Sequence, residues 1–291
     1  MEDSPVGFRG VKRSTVIYLS LGLLLVWGIA DVWLTRLSDG AARHVRLVMG
    51  NAYQVAYPEY RILLWGSDAY QRTPTSVSLE VEVQQHALDN LRSYVTLSEN
   101  ILGRVTASPE FPPSRMHPLL AGFRGGQGQD LGVKKAARAL VESLGSGVTA
   151  TVIVEFARPL SENEVVRLVP LRSADLKSFF LSPIQKSNRK PVFWRSGWDR
   201  CHDRGLDGCN ESSAIAQFRQ WCSMLEEGDR DDLGKIGLDL DVLRRTAEEG
   251  KVYGLVLPGA GKESMLHLLS SPLVRTVDIV DLVPRSNARA S

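Results

Sequence analysis

One stretch of this sequence constrains all the rest. Residues 16–34, VIYLSLGLLLVWGIADVWL, contain a single charged residue, Asp31. The run is about 19 residues long, near the minimum for a helix that crosses a bilayer. A core helix of a soluble domain keeps a polar face, and here apolar side chains occupy every face. Arg9, Lys12 and Arg13 precede the run and favour a cytoplasmic N-terminus, although Arg36, Arg43 and Arg46 beyond it reduce the asymmetry. The expectation is a short cytoplasmic tail over residues 1–15, a single transmembrane helix over 16–34 and a bulk outside the cytoplasm. Gly28 and Ala30 also give the small-x-small spacing of a cleavage site, so a retained anchor and a cleaved signal peptide both stand. On either reading the remainder is exported, because no second apolar run of similar length follows.

The exported part has globular composition, with 43% hydrophobic and 23% charged residues over the 291-residue chain. The 35 basic and 33 acidic residues of the whole chain are dispersed, without the basic block that a nucleic-acid groove requires, so DNA and RNA are not expected partners.

Residues 35–75 read as a juxtamembrane helical segment, broken at Tyr57-Pro58 because proline disfavours helical backbone in the residue before it. Tyr53, Tyr57, Tyr60 and Trp65 suit a membrane interface, where amphipathic rings collect, and would serve equally in core packing. Residues 76–291 then read as an extracytoplasmic α+β domain. Val77, Leu79, Val81 and Val83 alternate with Ser78, Glu80 and Glu82, the pattern of a half-buried strand. A second extended segment is expected over 94–105. Pro109, Pro112, Pro113 and Pro118 with Gly122, Gly125, Gly126 and Gly128 predict a long irregular, mobile connection.

Leu131, Val133, Ala136, Ala137, Leu140, Val141 and Leu144 recur at helical spacing, and Gly145 and Gly147 end the run. Residues 149–156 alternate as a strand. Pro159-Leu160 reads as a turn into a helix whose Ser161 and Glu164 have capping-box spacing. One hundred positions later the design recurs: Val252, Gly254 and Val256 in a strand, Pro258-Gly259 at a turn, then Met265, Leu266, Leu268 and Leu269 where the first copy has Val165, Val166, Leu168 and Val169. A strand over 274–283 completes the second β-α-β unit, and Pro191 to Trp194 is expected to close the first. Two such units suggest ferredoxin-like β-α-β repeats, a sheet with helices on one side, with a regulator-like core over 149–285. Helices expected over 212–225 and 240–249 form an insertion that either packs on the sheet or stands apart.

Few residues form a pattern that carries chemistry. Cys201 and Cys209 bracket His202, Asp203 and Asp207; in an oxidising compartment they are a candidate disulfide closing a short loop, worth about 2–3 kcal/mol. Zinc would require a second ligand pair that the chain lacks, and no metal is expected. Cys222, beside Trp221, reads as a small buried hydrophobe or an alternative disulfide partner. Pro258-Gly259-Ala260-Gly261-Lys262 has Val256 and Glu263 where a phosphate loop needs glycine and a hydroxyl residue, so no nucleotide cofactor is expected. The five histidines His44, His86, His117, His202 and His267 are scattered. Glu155, Asp278 and Asp281 could face one another across neighbouring strands, or be ordinary polar positions of a sheet. A hydrolytic cleft would have to form where Trp194, Trp198, Asp199 and His202 gather. No GxSxG elbow is present, and the expectation is a non-enzyme without catalytic residues or cofactors.

The order of parts, one membrane helix followed by exported strands and a closing Lys251-Val252-Tyr253-Gly254-Leu255-Val256 unit, resembles membrane-anchored bacterial sigma-factor regulators of the anti-sigma type. The likeness covers about residues 145–285 and carries Phe156 ahead of a Pro-Leu-Ser turn. It implies a regulatory domain that senses and binds a protein partner while tethered to the bilayer. A segment of about 15 residues ahead of Val16 is too short to hold a sigma factor through a standard interface of about 800 Å² per partner. An envelope-assembly scaffold without a signalling role is the alternative of a different class.

Overall fold

The helix that follows the apolar run is part of the folded body. The computed structural model describes residues 39–63, 70–73, 75–85, 88–100, 102–108, 116–145, 147–169, 178–184, 191–195 and 213–284. Residues 16–34 lie outside them, and no helix among the described residues is long and apolar enough to cross a membrane. Residues 39–44 are helical, Val45–Met49 widen into a π-helical turn, and α1 (Gly50–Ala56) continues the rod with every residue buried. It ends at Tyr57 (φ −124°, ψ 68°), where the ring of Pro58 excludes helical backbone. The helical expectation fails past that point, because residues Tyr60–Leu63 form strand β1.

Sheet A contains β1, β2 (Tyr70–Thr73), β3 (Ser76–Gln85), β4 (Leu88–Asn100) and β5 (Val105–Ser108), in the order β1-β3-β4-β5, with β2 sharing the β1 edge of β3. Val77, Leu79, Val81 and Val83 of β3 are buried and Glu80 is exposed, as the alternation predicts. The extended segment expected over 94–105 is two strands. The Asn100 side-chain oxygen accepts from the amides of Leu102 and Arg104, and Gly103 takes a φ of 73° that folds the chain back into β5.

The chain next forms α2 (Met116–Ala121), inside the stretch expected to be irregular, and α3 (Leu131–Glu142), capped by Asp130. Sheet B follows: β6 (Val148–Leu160), β7 (Ser178–Phe180), β8 (Phe193–Arg195), β9 (Val252–Gly261) and β10 (Val274–Pro284), all antiparallel, in the order β10-β6-β9-β7-β8. Helix α4 (Glu162–Leu168) follows β6 with the predicted capping box: Ser161 Oγ accepts from the Glu164 amide and Glu164 accepts from the Ser161 amide at 2.8 Å. Helices α5 (Ala214–Cys222), α6 (Arg230–Lys235) and α7 (Leu240–Glu249) intervene before β9, and α8 (Lys262–Ser270) joins β9 to β10.

Three expectations need correction. The strand that follows α4 and pairs with β9 is β7, through Phe179 and Phe180; the strand near Trp194, β8, lies outside it. Pro258-Gly259 is not a turn: β9 runs on to Gly261 and absorbs the dipeptide as a bulge opposite β6, with Gly259 at φ 67°. Strand β6 is buried on both faces, not one. Val152, Val154 and Phe156 join the main core with the helices, while Ile153 meets Met116, Leu120, Phe123, Phe180 and Val256 on the other side. Sheet B is thus the middle of three layers. At Gly254 the layers approach so closely that a Cβ would stand 2.5 Å from the Val154 carbonyl oxygen and 3.0 Å from the Phe123 ring.

The insertion does not stand apart. Phe218 and Trp221 of α5 pack on Trp194 of β8, with ring centroids 5.4 and 5.6 Å from it. Val45, Val48, Ala52, Leu79 and Val81 belong to the same apolar cluster as Phe218, Leu243 and Leu255. Residues 45–62 thus contribute to one core with the strands and helices that follow.

Candidate functional site

Two polar constellations interrupt this apolar interior. The first is built on Glu155, which stands on β6 with 4% of its surface exposed. Residues 151, 153 and 155 share a face of β6, so their register partners Asp281, Asp278 and Thr276 share it too. The strands thus bring Glu155, Asp278 and Asp281 to one side of the sheet, the side that α2 covers. Glu155 Oε2 accepts from the Arg124 amide at 3.0 Å, and Arg275 Nε lies 3.7 Å away. Arg275 also donates to the Gly128 carbonyl at 3.0 Å and reaches Asp130 at 3.5 Å. The Gly126 and Gly128 amides donate to the Phe156 and Ala157 carbonyls, both at 2.7 Å. The glycine segment after α2 is therefore laced to the end of β6, where β6 parts from β9. Burial pushes the Glu155 carboxyl up to about 7 and the charge of Asp278 adds to this, against the Arg124 amide and Arg275. Asp278 is raised by burial as well. An acid balanced near neutrality is a group able to exchange protons; here it also fastens a loop.

The second constellation joins parts far apart in sequence. His44 Nδ1 lies 2.8 Å from Glu99 Oε2 of β4, and Nε2 lies 2.8 Å from Asp229 Oδ1 in the 3₁₀ turn Glu227–Asp229. Glu99 and Asp229 are each 7% exposed. Two carboxylates on the two ring nitrogens require both nitrogens to donate, which makes the ring an imidazolium. Burial works against that charge, but the hydrogen bonds to Asp229 and Glu99 and their charges prevail and push its pKa up to about 10. Burial also works against the Asp229 charge, but the His44 hydrogen bond, the Glu226 amide and the His44 charge hold the carboxyl below its usual range. The clamp ties the helix over 39–56 to sheet A and to the insertion at one point.

The residues singled out in the sequence are placed as follows. Tyr60 is fully buried and Tyr53 is 5% exposed, both within the main core, and Tyr57 packs against it. Those rings face protein; Trp65 lies outside the described residues. Cys201, Cys209, Trp198, Asp199 and His202 lie outside them as well. Trp194 is buried in the core. Cys222 is a free buried thiol whose Sγ lies 3.7 Å from the Leu243 carbonyl, and burial pushes its pKa up. Lys262, the first residue of α8, donates to the Leu144 carbonyl at 2.9 Å and to that of Glu142, closing the C-terminal end of α3. Among the described residues no group of three or more His, Cys, Asp or Glu side chains is placed to hold a metal ion.

The His44 clamp was missed in the sequence because its members are 55 and 185 positions apart. One signal was available: Glu99 continues the parity of the buried Val95 and Leu97, a carboxylate where β4 should present an apolar side chain. Comparison with protein-family models, curated proteins and solved structures finds no match to this chain.

Proposed function

We propose that the chain is a membrane-anchored extracytoplasmic interaction domain that acts by protein contact, similar in its closing half to the C-terminal domain of sigma-factor regulators. In chain order, β6-α4-β7 and β9-α8-β10 make two β-α-β units, and the sheet order β10-β6-β9-β7 supports a ferredoxin-like reading, with β8 as an added edge strand. Such a sandwich hosts many functions, so the fold alone does not carry the proposal.

The stem carries it. Residues 16–34 have the length and apolarity of a membrane span, and the helix described from Asp39 onward is buried from Leu47 to Ala56 among sheet A and β8. A body whose described helix lies so few residues beyond such a span is held close to the bilayer, the arrangement that a partner in or beside the same membrane reads.

The test is crosslinking of the full-length protein in native membranes, followed by purification and mass spectrometry. Recovery of a sigma factor or a signalling membrane protein is the expected result. Recovery of cell-wall or division proteins alone replaces the regulatory reading with the scaffold, and a protein that stays in the soluble fraction removes the anchor.

A further inference from the structure

The turn that joins β4 to β5 carries a large apolar side chain into solvent. Leu102 is 74% exposed at its tip, held there by the Asn100 side chain and by Gly103. Single exposed leucines are ordinary, and it is the position of this one that is informative.

Two sets of contacts locate the tip relative to the stem. Near one end of the helix, Gln54 accepts from the Ile62 amide at 2.9 Å and donates to the Tyr60 carbonyl at 2.7 Å; these β1 residues register with Val83 and Gln85 of β3. Near the other end, His44 holds Glu99, which registers with Val77, and Asp39 pairs at 2.7 Å with Arg72, which also registers with Val77. The helix therefore runs alongside β3. Its first turn lies at the end of sheet A that holds the 73–76 connection and the Leu102 turn.

Asp39 is five positions beyond Leu34, and five residues span at most about 17 Å. The first turn of the helix at that end of the sheet thus lies no more than about 17 Å of chain from the point where the apolar run stops. Arg43 and Arg104 are exposed there, and the Lys235 side chain, 54% exposed, extends from the Asp232 that accepts the Val105 amide. Of the acidic residues at this end, Asp39 is paired with Arg72, Asp232 with Lys235, Glu99 and Asp229 with His44, and Glu227 with Arg230 and Arg244, while Glu226 and Asp231 are exposed.

We propose that this end of sheet A is a lipid-contact face, on which Leu102 enters the interfacial layer of the bilayer while Arg43 and Arg104 meet anionic headgroups. The inference rests on the reading of residues 16–34 as a membrane anchor. An apolar side chain flanked by cations is the combination that binds such a surface, with each arginine contributing about fivefold in occupancy. A lipid surface fits better than a protein groove because only four residues separate the apolar run from the helix whose first described turn lies at this end of the sheet.

The test places the photoreactive residue p-benzoylphenylalanine at position 102 of the full-length protein, and separately at position 92. Arg92 is exposed on the same strand and registers with Gln84, toward the far end of sheet A. Each protein is reconstituted in vesicles of phosphatidylethanolamine and phosphatidylglycerol, sedimented, illuminated and searched for lipid adducts by mass spectrometry. The expected result is sedimentation with the vesicles, adducts at 102 in clear excess over 92, and a loss of about fivefold or more when Arg104→Glu is added. Sedimentation with equal or absent adducts at the two positions overturns the lipid-contact face and leaves the anchor intact. Failure to sediment removes the anchor and this inference with it.

Discussion

The indole N–H of Trp221 donates to the backbone carbonyl of Val48 at 3.2 Å, across 173 positions of sequence. Trp221 is fully buried in the aromatic cluster with Trp194 and Phe218, so this bond ties helix α5 to the π-helical turn of the stem. Trp221→Phe keeps most of the apolar volume but removes this bond from a carbonyl that lies within the helix, a cost of about 1 kcal/mol. Trp221→Ala also opens a cavity and costs about 3–5 kcal/mol. Urea unfolding followed by circular dichroism separates the two; equal midpoints for the Phe variant and the parent would show that the bond adds nothing.

Removing His44 leaves two buried carboxylates facing each other. The expected cost of His44→Ala is about 3 kcal/mol. The pH dependence has a definite sign. The folded pKa is raised to about 10 from an ordinary 6.5, so the stabilisation by His44 is fully present below about 6.5 and is lost as pH rises to about 10. Asp229, held below its ordinary 3.8, contributes above that value and loses the contribution as pH falls. Thermal melting of parent and variant across the alkaline range should converge, and a constant gap up to pH 10 would contradict the imidazolium clamp.

Glu155 has the same sign as His44, in a lower pH window, and the opposite sign to Asp229. Its folded pKa of about 7 lies above the ordinary 4.5, so the folded state binds more protons than the unfolded between these values. Its contribution therefore weakens as pH rises from about 4.5 to 7 and is level beyond. In Glu155→Gln this component of the slope disappears, and the stability difference between variant and parent should change across that window and be flat above it. A difference that is flat throughout would place the carboxyl at an ordinary pKa.

Gly254→Ala drives a methyl group into the Val154 carbonyl and the Phe123 ring. Strand backbone on one side and a packed ring on the other leave little room to yield, and a loss of about 2–3 kcal/mol is expected. Denaturation midpoints measure it, and Gly234→Ala, where a Cβ meets nothing within 4 Å, is the control expected to change little.

Where a pattern is local, the sequence carries it to the residue. The β3 alternation, the Ser161–Glu164 capping box and helix α7 are set by neighbours within a few positions. The misreadings come from what covers an element. Residues 149–156 look like a half-buried strand, and only the return of α2 and Phe123 shows why Ile153 is apolar too. For Tyr53 and Tyr60 composition left membrane interface and core packing equally open, and their burial depends on sheet A and on helices more than 150 positions away. The Glu155 nest was visible as three carboxylates on neighbouring strands, but Arg275 and the glycine segment that engage it were not.

The buried stem also decides how motion travels. From residue 39 to 56 the chain is one rod about 25 Å long at 1.5 Å per residue, gripped by sheet A along its length, by the His44 clamp near its start and by Trp221 at its middle. A loose linker would let whatever precedes Asp39 turn without consequence. Here the helix that begins the described chain is bonded to sheet A through Glu99 and to the insertion through Asp229 and Trp221, so a displacement of the stem bears on the contacts of both.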